Sequence, residues 1–142
     1  TPIVFDRDGD SAALTATHLF QVPSTRWSGA LSASVGRNRA QGNDFTYDSH
    51  GATASVRYDF TEKISLTLGV GYTRYDYANP NSLTGFAFAR DDEQTLVTAL
   101  LVGPLTEHVR WFVQAHALDI DSNIAFFDYR QNAISAGVAA DF

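Results

Sequence analysis

The sequence predicts an all-β protein: an antiparallel, up-and-down transmembrane β-barrel, with about seven to eight strands here forming part of a larger barrel. Three observations carry the prediction. Side-chain character alternates with period two along most of the 142 residues, and helical periodicity is almost absent. The alternating segments run past ten residues, whereas a soluble sandwich uses strands of about five or six. The links between them alternate between short turns and longer polar stretches, as when short turns lie on one side of a bilayer and loops on the other.

The clearest strand is ISLTLGVGY, 64–72. Ile64, Leu66, Leu68, Val70 and Tyr72 point one way; Ser65, Thr67, Gly69, Gly71 and the following Thr73 point the other. The preceding segment repeats the scheme, with Ala52, Ala54, Val56, Tyr58 and Phe60 against Thr53, Ser55, Arg57, Asp59 and Thr61. Only the turn TEK separates the two, so they form a hairpin. Trp27, Leu31, Ala33 and Val35 stand against Ser28, Ser32 and Ser34. Val109, Trp111, Val113, Ala115 and Ala117 alternate with Arg110, Gln114 and His116, with Phe112 as the interruption. Two runs, 11–22 and 95–102, alternate less cleanly but read as strands from their Thr, Val and Leu content.

The expected strands cover about 11–22, 26–37, 51–61, 63–75, 93–103, 108–119 and 131–142. Residues 1–10 form an N-terminal extracellular segment, and 11–142 are the barrel strands. Long acidic loops are expected at 37–50, 75–92 and 119–131. Seven is odd, and a complete bacterial single-chain barrel has an even number of strands. The dipeptide Asp8-Gly9 offers a hairpin turn to an eighth strand, but Ile3 to Phe5 is too short to cross a bilayer. The preferred expectation is closure by strands from a preceding segment or another chain. The start at Thr1 without a methionine agrees with something upstream.

Composition sets outer bounds. Hydrophobic residues make up 44%, mean hydropathy is -0.15, and no apolar run reaches the roughly 18 to 20 residues of a spanning helix. The absence of cysteine excludes disulfides, zinc-thiolate sites and thiol chemistry. A net charge of -6 disfavours nucleic acid as a partner. Aromatic residues are 13%, and they gather at strand ends. Trp27, Phe60, Trp111 and Phe142 lie near the short turns; Tyr72, Tyr75, Tyr77, Phe126, Phe127 and Tyr129 lie near the long links. Two bands of rings are what two lipid interfaces select.

The final residues, SAGVAADF, place Ser135, Gly137, Ala140 and Phe142 in the order polar, glycine, hydrophobic, terminal aromatic. This resembles the β-signal by which Gram-negative outer-membrane proteins are recognised by the barrel-assembly machinery. The stretch 121–142 is similar to the closing hairpin of proteobacterial outer-membrane barrels, and as a general type the likeness extends over roughly the C-terminal half. The resemblance implies an outer-membrane location with long loops extracellular, the C-terminus periplasmic, and the bilayer, lipopolysaccharide and the assembly machinery as partners. It implies no catalytic residue.

Candidate chemistry is sparse. Arg57, Asp59, Arg110, Gln114 and His116 are expected to face the lumen, where charges set ion preference or pair across a filled interior. The run DIDSN, 119–123, begins like an EF-hand loop but puts Ile124 at the glycine position and Arg130 at the acidic one, so the motif fails. Loose calcium binding by Asp119, Asp121 and the acids of 6–10 is the residual reading, against a solvated acidic loop. Of the histidines (His18, His50, His108 and His116), only Ser49-His50 and His116 with Asp119 suggest a rim-site hydrolase, and neither assembles nucleophile, base and orienting group. The expectation is therefore a channel wall, porin-like or an export pore, without cofactor or metal. A structural or adhesive component of a multi-chain assembly is the alternative, and a barrel hydrolase the remote one.

Overall fold

The computed structural model describes residues 6–140. It contains one seven-stranded antiparallel sheet in which each strand pairs with the next in sequence. The strands are β1 (Gly9–Gln21), β2 (Trp27–Ala40), β3 (Tyr47–Asp59), β4 (Ser65–Pro80), β5 (Ala89–Pro104), β6 (Val109–Ser122) and β7 (Tyr129–Ala140). The order is the up-and-down arrangement expected. The sheet is not closed: among the described residues β1 and β7 have no outer neighbour.

Alternation dictates the two faces. One row of paired residues runs Phe20, Gly29, Val56, Leu68, Ala99, Ala115, Ile134, and the next runs Trp27, Tyr58, Leu66, Leu101, Val113, Ala136. On the opposite face the corresponding row runs Thr17, Ser32, Thr53, Gly71, Leu96, Leu118, Gln131. Along β2 the apolar positions Leu31, Ala33 and Val35 are exposed, while Ser32, Ser34 and Gly36 between them are half-covered. The sheet therefore curls with its polar face inward and its apolar face outward. Ile124 is the sole buried hydrophobic residue among those described.

The two less regular runs now have a cause. In β1, His18 stands on the apolar face and Leu19 on the polar one. In β5, Leu96, Leu100 and Val102 face inward while Val97, Ala99 and Leu101 face outward, so both faces are greasy and the period disappears. Phe112 interrupts the polar face of β6 because its ring lies over Gly137 across the strand pair, where a side chain would collide with it. Trp111 covers Gly103, and Phe20 covers Gly29, in the same way. An aromatic ring over a cross-strand glycine restores the packing that the glycine lacks.

Strand ends differ from expectation. The acidic stretches foreseen as long loops are largely strand: Asp48, Asp76, Asp91, Asp92, Asp119 and Asp121 all sit in the ladder. The true loops contract to 41–46, 81–88 and 123–128, each with a short 3-10 turn (Asn43–Phe45, Ser82–Thr84, Ala125–Phe127). Aspartate is a poor strand former, and Asp48, Asp76 and Asp91 stand in register with one another; the guanidinium groups of Arg37, Arg74 and Arg130 on the same face compensate. The Asp8-Gly9 turn does not form either. Gly9 opens β1, and the carbonyls of Asp8 and Asp6 accept from the Gln41 and Gly42 amides, so the chain continues straight past the loop. Residues 1–5, with the short Ile3 to Phe5 run, lie outside the described residues, as does Phe142.

At the other end each short turn is clasped by a threonine. The Thr25 hydroxyl donates to the Val22 carbonyl at 2.8 Å. The Thr61 hydroxyl accepts from the Ile64 amide at 3.0 Å, and the Thr106 hydroxyl accepts from the His108 amide at 3.3 Å. Such side-chain-closed turns need few residues, which is why these connections stay short.

Candidate functional site

The concave polar face gathers the side chains expected to line a lumen. Arg57 and Gln114 share one row, with Thr67 and Leu100 between them. His116 lies one row further toward the loops, beside Thr98 and Ala133. Asp59 pairs with its neighbour two residues back, the Arg57 Nη2 to Asp59 Oδ1 distance being 2.8 Å. Arg110, opposite Pro104, completes the set. Arg57, Arg110, Glu62, Lys63 and Glu107 rim a concavity of about 340 Å³ at the short-turn end. Above it the face carries no carboxylate, guanidinium or ammonium until Asp92. On β1 to β4 this middle stretch is mostly hydroxyls and glycine (Thr15, Thr17, Ser32, Ser34, Ser55, Gly69, Gly71), with Leu19 and Ala30 among them; on β5 and β6 Leu96, Leu100, Leu118 and Ile120 are interspersed with Thr98, Gln114 and His116. The inner wall is therefore amphipathic from side to side.

The loop end of the same face holds a cluster that sequence reasoning missed. Arg90 Nε donates to Asp92 Oδ1 at 2.8 Å, and the Asp92 carboxylate is buried, at 3% exposure. The Arg90 guanidinium lies 3.5 Å from the Phe127 ring centre and 4.8 Å from that of Tyr77. Tyr47 packs on Tyr75 and Tyr77, both at 5.3 Å between ring centres. Tyr75, Tyr77 and Phe127 are thus not part of an outward aromatic band. Tyr77 and Phe127 flank a largely covered cation, an arrangement favoured by the ring quadrupole, and Tyr75 joins them through Tyr47. The loops above are tied together. Asp44 accepts from the Ser82 amide at 3.1 Å and from its hydroxyl, Asn79 donates to the Asn43 carbonyl at 3.2 Å, and Asn123 bridges the Asp91 amide and the Ala89 carbonyl, both at 2.9 Å.

The convex face has three zones. At the short-turn end Trp27, Tyr58, Phe60 and Trp111 form a ring of aromatics, with Trp27 and Tyr58 4.6 Å apart and Tyr58 and Phe60 5.0 Å apart. A middle zone of Leu, Val, Ala and Ile follows. At the loop end come ion pairs: Arg37 Nε to Asp48 Oδ1 at 2.8 Å, Arg74 Nε to Asp76 Oδ1 at 3.0 Å, Arg74 to Asp91, and Arg130 Nη2 to Asp119 Oδ2 at 2.7 Å. Of the rings expected at the loop end, Tyr72 alone among Tyr72, Tyr75, Tyr77 and Tyr129 is on this convex side.

Other expected groupings separate. Ser49 and His50 are adjacent residues of one strand and so face opposite ways; His50 Nδ1 lies 3.7 Å from Asp76 Oδ2 on the convex face. His116 and Asp119 are likewise on opposite faces. Asp119 is engaged by Arg130 and Asn123 by backbone groups, so the DIDSN run makes no calcium cradle. No group of three or more histidines and carboxylates among the described residues is placed to hold a metal ion. Of the assembly-signal residues, Ser135 and Gly137 lie on the concave face opposite Gln114 and Phe112, and Ala140 lies on the convex face opposite Val109.

No curated protein and no solved structure matches the chain. The family model described as "Protein of unknown function (DUF2860)" matches residues 4–140, nearly the whole length, and the chain belongs to that family.

Proposed function

We propose that this chain is the wall of an outer-membrane β-barrel that encloses a polar passage, a channel or an export pore. The observation that carries the reading is the convex face. It presents Leu31, Val35, Val56, Leu68, Val70, Val97, Val113 and Val138 to the outside, each more than 40% exposed, across all the central strands. An apolar surface of that continuity requires a non-aqueous partner. Its limits suit a bilayer: rings at one edge, charge at the other, and nothing ionised between. In lipid the backbone is satisfied by the ladder, which strands can provide only in a barrel. The ion-pair belt then sits among the headgroups of the outer leaflet, with lipopolysaccharide as neighbour, and the threonine-clasped turns face the periplasm.

Cysteine substitution tests the reading, since the chain has no cysteine of its own. In membranes, Val70→Cys resists a water-soluble thiol reagent, while Thr53→Cys on the concave face reacts and lowers the conductance of the purified protein in planar bilayers. If Val70→Cys reacts as fast as Glu62→Cys in the short turn, the convex face meets water and the membrane reading fails. If Thr53→Cys is silent and no conductance is seen, the wall encloses a filled interior and the channel reading fails.

A further inference from the structure

We infer that the two free edges are binding surfaces for an odd number of further membrane-crossing strands, and that a second copy of this chain does not supply them. The inference rests on the barrel reading above. β1 runs from the loop end, where Gly9 pairs with Ala40, to the short-turn end; β7 runs the same way, from Tyr129 to Ala140 beside Val109. Pairing β1 directly with β7 would therefore be parallel, breaking the antiparallel ladder that every other pair obeys. An even number of added strands leaves the same mismatch, and an odd number removes it.

A second copy in the same orientation offers at either edge a strand of the same direction, so it too pairs only in parallel. Turned over, it would pair antiparallel, but its ion-pair belt would then lie against the aromatic ring of its neighbour, one of the two charged belts being forced to the wrong side of the bilayer. The up-down asymmetry of the convex face excludes that copy.

An independent observation points to the same edges. One row of the convex face reads aliphatic on every central strand but begins with His18 on β1 and ends with Asn132 on β7. Their row neighbours, Leu31 and Ala117, offer no hydrogen bond. A polar group in an apolar band needs a partner. For His18 the two flanking residues on its own strand are Ala16 and Phe20, so the remaining place for one is the missing strand, about 5 Å to the side. The closing strands are accordingly amphipathic like these, run from the short-turn end to the loop end where they meet β1 and β7, and present a hydrogen-bonding side chain beside His18.

The test is peptide-level amide exchange on the native protein in its membrane, with oxidation of engineered cysteines. In an open edge strand alternate residues turn their backbone groups away from the single neighbour, so roughly half the amides of β1 and β7 would exchange freely. We expect instead protection equal to that of β4, at least about 100-fold slower than an unpaired amide. Free exchange at either edge overturns the inference. So does a disulfide-linked homodimer of Leu14→Cys or Ile134→Cys, which would reveal a second copy. An intrachain disulfide between Ala16→Cys and Asn132→Cys, Ile134→Cys or Ala136→Cys would reveal direct closure and overturn it equally. The Val70→Cys labelling above reports on lipid contact separately, so exposed edges with a lipid-shielded face would fail the closure and leave the membrane reading standing.

Discussion

The two ends of the convex face solve the same boundary problem with different chemistry. At the short-turn end the apolar zone gives way to stacked rings, Trp27 on Tyr58 and Tyr58 against Phe60, with Trp111 filling the space over Gly103. At the loop end it gives way to guanidinium and carboxylate pairs, most of them half exposed. Rings contribute through area and quadrupole contacts, which are short-ranged and insensitive to salt. Exposed ion pairs contribute about 0–1 kcal/mol each, and salt weakens them. The difference teaches that the aromatic end anchors the sheet, while the charged end mainly sets its orientation and its outward surface.

The largest expected effect lies just inside the charged end. Arg90→Ala leaves the Asp92 carboxylate buried and unpaired and should cost about 3–5 kcal/mol, read as a lowered unfolding midpoint in lipid vesicles. A cost below about 1 kcal/mol would show that water or another cation reaches Asp92 and that this end is as soft as its surface pairs. Next comes the zone between the ends. Val70→Arg should destabilise the vesicle-inserted protein by about 2–4 kcal/mol, with Thr53→Arg on the concave face costing much less. Equal costs would erase the distinction between faces.

At the aromatic end, Trp111→Ala should cost about 1–2 kcal/mol. Because Trp111 packs on Gly103, a Gly103→Ala change displaces the same ring, and the double variant should lose clearly less than the two single costs added together. Strict additivity in that cycle would detach the ring from its glycine. The smallest effect belongs to the outer belt. Asp48→Asn, which frees Arg37 and Arg39, should leave the unfolding midpoint nearly unchanged, and the small shift should vanish in high salt. A larger, salt-resistant loss would make the belt an anchor equal to the rings.

Much of the fold was legible because a strand's period is local. Ile64 to Tyr72 and Ala52 to Phe60 declare their faces without any partner, and the TEK turn joins them. What escaped did so for non-local reasons. Phe112 looks misplaced until Gly137, from the next strand, lies beneath it. Tyr77 and Phe127 look like an interface band until Arg90 is found against both rings. Asp91 and Asp92 read as loop because aspartate alone disfavours strand, and only Arg74 from β4 and Arg90 within β5 make them acceptable there. A signal for the Arg90 site was present in retrospect: an arginine two residues before an aspartate, the same spacing as Arg57 with Asp59 and Arg74 with Asp76, puts both on one face.

By itself the sequence determined seven strands in alternating directions and, where the alternation is clean, which side chains share a face, since period two and the turns between strands are read from neighbours along the chain. The tertiary structure alone decided how far the ladders extend into the acidic stretches, which charges meet, and that His18 and Asn132 stand in one row on the two outer strands. Those outcomes depend on register between strands, and register is set by hydrogen bonds and contacts between residues that sequence spacing does not bring together.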